Sequence, residues 1–519
     1  MSLWRRIPVF RDHPPGLGVC FLVEMWERFS YYGMRALLIF YLTQHFLFSD
    51  SRAFVLYGAY ASMVYLLPVL GGAVADRWLG PRKGVTFGAL LLVAGHFLMT
   101  IEGPAATEVS SAGGLVVERS EFHLSLFYLA LALIATGVGF LKTNASTVVG
   151  ALYEKGDPRR DSGFTVFYMG INLGAAVAPL LCGWLGQTYG WRYGFGLAGV
   201  GMLAGLLLYL RGQKYLRGHA DPPRPEALKE RVLPGLPREA AIYLASLGLV
   251  GGVWWVLQHP PVVGGLLSAT GAALGLFVLY YALRRCDRTE RDQLLACAVL
   301  VAFTIGFWAF YEQMGSSLNL FADRMVDREF AGFEIPASTL QSLPAIYVIA
   351  LAPLFSWLWI ALGRRGREPS TPVKFVLAIV QISLAFLVLV VGSALRPDDG
   401  KVALIWFALT FLLMVTGELC LAPVGMSMVT GLSPKKIVST MMGSFMLAYA
   451  ASSYISGLIA RLTSATTVGG EVADFEAALS VYGNVYTRIG LLALLVAAVL
   501  GALTPLLVRW MHATRPRSA

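Results

Sequence analysis

Between residues 24 and 35 an otherwise apolar run reads EMWERFSYYGMR. It sets Glu24, Glu27, Arg28 and Tyr31 at i, i+3, i+4 and i+7, with Tyr32 and Arg35 continuing the row. On an α-helix these positions share one face, which would carry two carboxylates, two guanidiniums and two phenols. A structural ion pair needs only two such groups. Three further apolar runs each carry an isolated charge: Lys142, Glu312 and Glu418. An ionisable residue at the centre of a membrane helix costs roughly 2.5–3.5 kcal/mol on insertion scales, so such residues usually face a wet cavity. The chemistry available is the binding of charged solute groups and the holding of protons.

The elements that carry these residues are read from composition. Of 519 residues, 56% are apolar and 14% charged, with a mean hydropathy of +0.64. Soluble domains carry roughly 25% charged residues, so this is an integral membrane protein. A disordered tail, a soluble nucleic-acid reader and a disulfide-stapled secreted module are all excluded. The five cysteines are scattered with no C-x-x-C pair, so neither disulfides nor a zinc site is expected. Fourteen runs are candidate spanning helices: 16–47, 53–76, 84–101, 123–150, 163–187, 191–215, 239–258, 262–283, 293–321, 338–362, 373–395, 402–430, 438–462 and 482–510. They are too long and too evenly apolar for the alternating strands of a membrane barrel.

The start MSLWRRIPVFRDHPP has no apolar core ending in a cleavage site and is read as a cytoplasmic tail. With that tail inside, the inside segments hold most of the 41 basic residues. Among them are Arg5, Arg6, Arg77, Arg82, Lys83, Lys155, the stretch from Arg211 to Arg238, and the tail from Arg509. This asymmetry explains the net charge of +10 without any nucleic acid, and it puts both termini in the cytoplasm. The proline- and charge-rich stretch at 218–238 is the strongest boundary signal. The expected organisation is a cytoplasmic tail at 1–15 and a six-helix bundle at 16–217. A linker with two additional helices follows at 218–290, then a second six-helix bundle at 291–511 and a tail at 512–519. This layout resembles the major facilitator architecture. GGAVADRWLGPRK at 71–83 resembles that superfamily's cytoplasmic loop motif, with Asp76, Arg77, Gly80, Arg82 and Lys83 in place.

A closer resemblance follows from four segments. The first span matches E-x-x-E-R-F-x-Y-Y-G, the signature of the proton-dependent oligopeptide transporter family. FTVFYMGINLG, with Asn172, resembles its F-Y-x-x-I-N-x-G block. FWAFYEQMGSS, with Glu312 and Gln313, resembles F-W-x-x-Y-x-Q-x-G-S-S, and GELCLAPVGMS, with Glu418, resembles G-E-L-x-L-S-P-V-G-x-S. The resemblance runs over nearly the whole chain, and the two extra helices resemble those of prokaryotic members. It implies a functional lysine at Lys142, here followed by Thr143 where the family usually has proline. Two departures concern the binding pocket. Pro344 and Ala345 stand where relatives have Asn-Pro, and Phe445 stands where they have tryptophan.

The expected function is proton-coupled import of di- and tripeptides across the bacterial inner membrane by alternating access. The three cations Arg28, Arg35 and Lys142 lie in the first half, while Glu312 and Glu418 lie in the second. A zwitterionic peptide would bridge the halves, its carboxylate on the cations and its amine on Glu418. Arginine suits the carboxylate because its planar fork engages both oxygens. Tyr31, Tyr32, Tyr65 and Asn172 would hydrogen-bond the peptide backbone and line side-chain pockets, and the substrate set also takes in Gln313 and Phe445. Without peptide, Arg35 would pair with Glu312 and Lys142 with Glu418, closing the outer side. Glu24, Glu27 and Glu312 are the proton carriers to consider, Glu24 or Glu27 first. His96 is isolated and read as a packing residue, so carboxylates carry the proton. No cofactor or metal is expected, and the chain is expected to act as a monomer. A carrier of simple anions has no use for an amine-binding carboxylate. A drug–proton antiporter would favour acidic and aromatic residues over three cations. No Ser/His/Asp or metal-ligand constellation supports an enzyme.

Overall fold

A computed structural model describes residues 7–111, 114–154, 156–216, 218–330, 332–397 and 400–512. Arg5, Arg6, Lys155, Arg217 and nearly all of the expected C-terminal tail lie outside the described residues. Fourteen helices of 18 residues or more are present among those described. In chain order they are α1 (Pro15–Phe40), α2 (Asp50–Val74), α3 (Pro81–Leu98), α4 (Glu121–Ala151), α5 (Arg159–Ala178), α6 (Trp191–Gly212), α7 (Arg238–Gln258), α8 (Pro260–Arg285), α9 (Arg288–Tyr311), α10 (Leu343–Arg364), α11 (Thr371–Ala394), α12 (Leu404–Leu432), α13 (Val438–Ala460) and α14 (Phe475–Trp510). Strands are confined to short two-stranded ribbons in the loops.

Twelve of the helices are long and apolar enough to cross a membrane, against the fourteen spans expected. The other two are α1 and α3. Helix α1 is interrupted by Glu24, Glu27, Arg28 and Arg35, while α3 has only 18 residues and opens on Arg82 and Lys83. Both nevertheless pack inside the first bundle, α1 against α5 and α6 and α3 against α4 and α6. Burial of its polar face inside protein is what allows α1 to run through an apolar assembly.

Helices α1–α6 pack among themselves, as do α9–α14, with α7 and α8 lying outside both sets against α4, α9 and α13. The broadest seam between the halves is α2 on α13. There Gly58 faces Gly457 so closely that a Cβ on Gly58 would lie 2.9 Å from the Gly457 Cα, and Ser62 Oγ donates to Ala450 O at 2.6 Å. Small residues permit this approach, as at other membrane helix crossings. Local chemistry sets the helix starts. Asp287 caps α9 by accepting from Glu290 N at 2.8 Å, and Asp474 caps α14 by accepting from Ala477 N at 3.0 Å. Gly80, at φ +74°, makes the turn that leads into Pro81 at the start of α3. That turn docks on the linker, where Arg82 pairs with Asp221 and its N–H donates to Ala220 O at 3.2 Å.

The two ends of the assembly differ. At the end that holds the α1–α2 turn, the α9–α10 loop and the α13–α14 loop, polar contacts join the halves. Arg324 donates to both oxygens of Asp50 at 2.7 and 2.9 Å, and Ala465 N donates to the same carboxylate at 3.1 Å. Gln44 reaches Asp323 at 3.0 Å, Asn319 reaches Ala36 O at 3.2 Å, and Ser338 donates through N and Oγ to Gln187 at 2.9 and 2.6 Å. At the opposite end no hydrogen bond or ion pair among the described residues joins one half to the other. The polar contacts between the halves are therefore concentrated at one end.

Candidate functional site

Between the halves lies a cavity of about 350 Å³. The charged row of α1 faces it. Glu24, Arg28, Tyr32 and Arg35 line the wall, while Glu27 and Tyr31 sit behind them, buried. Arg28 donates through Nη2 to Glu27 at 2.8 Å and through Nε to the second oxygen, so both carboxylate oxygens of Glu27 are taken. Glu24 has a looser partner, the Nε of Arg28 at 3.4 Å, and its Oε2 is buried with no hydrogen-bond partner. One row of side chains thus holds one satisfied carboxylate and one unsatisfied one.

Arg35 bridges the halves by an ion pair with Glu312, and its Nε donates to the Tyr57 hydroxyl at 2.6 Å. The other expected pair, Lys142 with Glu418, is not formed in this structure. Glu418 instead accepts a hydrogen bond from the Tyr311 hydroxyl. The Lys142 ammonium lies 4.4 Å from the centroid of the Tyr65 ring, a cation–π contact, and makes no ion pair among the described residues. Each of the two groups instead finds a partner on its own half of the molecule. Lys142 remains within electrostatic reach of Arg28, Glu27, Glu24 and Glu312.

Asn172 lines the cavity and donates to Tyr168 O at 3.1 Å one helical turn away. Tyr65 and Phe445 line it too, from α2 and α13. Gln313 does not. It is fully buried, donating to Ala309 O, Ser456 O and Ser456 Oγ at 3.0–3.2 Å and accepting from Ser317 Oγ at 2.7 Å. Those bonds use the whole amide and pin the short turn Glu312–Gly315, so Gln313 shapes the wall that carries Glu312. His96 is fully buried with both ring nitrogens unpartnered, away from the cavity, as expected of a packing residue.

The sequence reasoning missed an aromatic wall. Trp308, Tyr311 and Tyr449 line the cavity, with Tyr449 4.9 Å from Trp308, 5.7 Å from Tyr65 and 5.2 Å from Phe445 between ring centroids. Trp308, Tyr311 and Glu312 are spaced i, i+3 and i+4, the same signal that singled out the row on α1. Pro344 and Ala345 line the opposite side with Val348. Pro344 is the second residue of α10, where its missing N–H leaves no helical bond unmade.

The arrangement places all three cations on one half of the cavity, beside Glu24, and places Glu312 and Glu418 on the other, with aromatic faces between. It contains no nucleophile–base pair, and no cluster of potential metal ligands occurs among the described residues. Its form is that of a solute carrier. The family model of the POT family matches residues 82–476. The chain belongs to the POT family. Its similarity to other members extends over most of its length. It is 37% identical over 462 residues to the uncharacterized transporter YclF of Bacillus subtilis, covering 87% of this chain and 89% of that one. It is 33% identical to the peptide transporter YePEPT of Yersinia enterocolitica, covering 98% and 97%. A mutant of the peptide transporter POT, solved in complex with alafosfalin, is similar in structure with a TM-score of 0.80 at 32% identity, covering 97% of each chain. As a POT family protein the chain is a multi-pass membrane transporter and not an enzyme, with the major facilitator architecture of two six-helix bundles.

Proposed function

We propose that this POT family member is a proton-coupled symporter that imports di- and tripeptides across the bacterial inner membrane. The observation that carries the reading is the segregation of charge across the cavity: Arg28, Arg35 and Lys142 on the first half, Glu312 and Glu418 on the second. A peptide zwitterion has matching poles. Its carboxylate goes to Lys142, which has no carboxylate partner among the described residues, and to the guanidinium of Arg28. Its amine goes to Glu418, which Tyr311 orients. Tyr32, Tyr65 and Asn172 offer hydrogen bonds along the backbone, and the aromatic wall with Phe445 takes side chains.

The two bundles, 16–217 and 291–511, rock about this cavity, joined by the linker 218–290, whose two additional spanning helices start and end on the cytoplasmic side. The excess of Lys and Arg in the loops of the open end orients that end, and both termini, toward the cytoplasm. The structure then stands closed to the outside and open to the inside. The Arg35–Glu312 pair and the Asp50–Arg324 pair act as outer latches. Among the proton carriers considered, the partnerless oxygen favours Glu24, because a proton arriving at Glu27 would have to displace a guanidinium from both oxygens. The cavity is complete within one chain, which supports action as a monomer.

Binding of dialanine to the purified protein tests the two-pole recognition. It should be lost when either terminus of the peptide is blocked, by acetylation or amidation. Arg28→Lys should weaken dialanine binding, and Glu418→Gln should remove the discrimination against the acetylated peptide. Equal binding of free and doubly blocked peptides would reject the assignment.

A further inference from the structure

On the bilayer-facing flank of the first bundle, at the end that holds the basic loops, a groove of about 450 Å³ runs between α2, α4 and α7. Its α7 wall is Arg238, Ala241, Ala245 and Leu249, spaced i, i+3, i+7 and i+11. At 1.5 Å per residue that track is about 16 Å long, reaching from the headgroup level well into the hydrocarbon. The facing wall, from α2 and the turn that follows it, is Trp78, Val74 and Leu70, one helical turn apart in the opposite chain direction. Phe140 of α4 forms the floor.

The groove is graded along its length. The deep part is mostly apolar, lined on α7 by Ala241, Ile242, Ala245, Ser246 and Leu249. One guanidinium lines the shallow end, and a second lies against a residue of its wall. Arg238 lines the groove, and Arg77 lies over the Trp78 indole, 4.9 Å from its centroid. Arg238 pairs with Glu230 at 2.8 Å, a carboxylate that is 60% exposed, and donates to Ala227 O at 3.2 Å, while Arg77 makes no ion pair among the described residues. Beside this end, the ribbon Arg231–Leu233 with Leu236–Pro237 holds Val232 and Leu233 exposed next to Arg231. An apolar tip flanked by arginine is the pattern of a segment seated at the membrane interface.

From these observations we infer that the groove is a specific site for one anionic phospholipid, with an acyl chain along the Ala241–Ala245 track and the phosphate at Arg77 and Arg238. Both walls are spanning helices, so the occupant is drawn from the bilayer, and the guanidiniums select negative charge. Basic pockets between helices on the cytoplasmic side suit such headgroups. The lipid would wedge α7 against α2 and α4, giving the extra helix pair a contact with the transport bundle beyond protein packing. Phe140 lies two residues before Lys142, so the groove and the transport cavity share α4 as a wall. The inference stands on the membrane setting and does not depend on the transported solute.

Native mass spectrometry of the full-length protein, titrated with dioleoylphosphatidylglycerol or dioleoylphosphatidylcholine, tests the site. One phosphatidylglycerol per chain should bind ahead of further adducts. Its preference over phosphatidylcholine should be about fivefold for each contributing arginine. Ala245→Phe, which fills the track, should abolish the first adduct. Arg77→Gln with Arg238→Gln, which leaves the track open, should keep the adduct and remove the preference. Equal binding of the two lipids by the unaltered protein, or a first adduct untouched by Ala245→Phe in protein of unchanged melting temperature, would overturn the site.

Discussion

Glu24 and Glu27 are three residues apart on one helix, and the sequence offers nothing to tell them apart. The structure does, because Arg28 occupies both oxygens of Glu27 and leaves Oε2 of Glu24 buried and bare. Glu24→Gln should therefore abolish accumulation driven by a proton gradient while sparing peptide exchange, and Glu27→Gln should also disturb the setting of Arg28 and weaken exchange. Counterflow measured beside gradient-driven uptake separates the two. Identical phenotypes in both assays would remove Glu24 from its role. Tyr311 makes a similar argument on the other half. Its hydroxyl is the hydrogen-bond partner of Glu418, and a bond to a charged group is worth about 1.5–3 kcal/mol. Tyr311→Phe keeps the ring in the aromatic wall and should weaken dialanine binding by roughly tenfold, with little change for a peptide whose amine is acetylated. An equal loss for both peptides would mean that the hydroxyl acts on folding or packing. The charged residues of this site were legible because a charge in an apolar run is rare and costly. Trp308, Tyr311 and Tyr449 were not, because an aromatic residue in a membrane helix is ordinary and its facing depends on neighbours from other helices. The bonds that make Gln313 structural were equally hidden, since its partner Ser456 lies 143 residues away.

At the scale of elements, the fourteen apolar runs became fourteen long helices with ends displaced by up to about ten residues, most where a helix breaks into a short turn or a π-helical segment. Hydropathy marks a helix by its own lipid-like content, so it under-reads one whose polar face is buried in protein. That is why α1, the helix richest in site residues, falls outside the twelve that qualify by hydropathy. Pairings between helices were less legible. Nothing in the sequence joined Asp50 at the head of α2 to Arg324 beyond the turn at 312–315, or either to the backbone after α13. The Asp50 side chain is fully buried and accepts three hydrogen bonds from the other half, so removing its charge leaves Arg324 buried and uncompensated. Breaking such a pair costs about 3–5 kcal/mol. Only the closed arrangement makes the pair, so Asp50→Asn should shift the population toward opening at that end. Spin labels placed across the α1–α2 turn and the α9–α10 loop would read this as a longer distance component. An unchanged distance distribution would show that the closed end is held by packing at the Gly58–Gly457 seam.

For the whole molecule, composition and charge asymmetry disclosed the membrane setting and the two-bundle layout, but a sequence describes no single state. Which end is closed depends on contacts such as Gln44 with Asp323 and Ser338 with Gln187, each between residues too far apart in the chain to be paired by spacing. The expected Lys142–Glu418 pair, unformed here, would likewise depend on the conformation, because the two charges sit on opposite halves. These scales meet in the transport cycle: a peptide zwitterion spans the cavity between the two bundles, and a proton on the first bundle drives its entry. Uptake of labelled dialanine into proteoliposomes, with and without an inward proton gradient, tests that cycle most directly. Accumulation above equilibrium is expected only with the gradient, and Glu418→Gln and Arg28→Lys should each abolish it. Gradient-independent equilibration, or failure of active protein to carry dialanine while it exchanges another solute, would contradict the cycle.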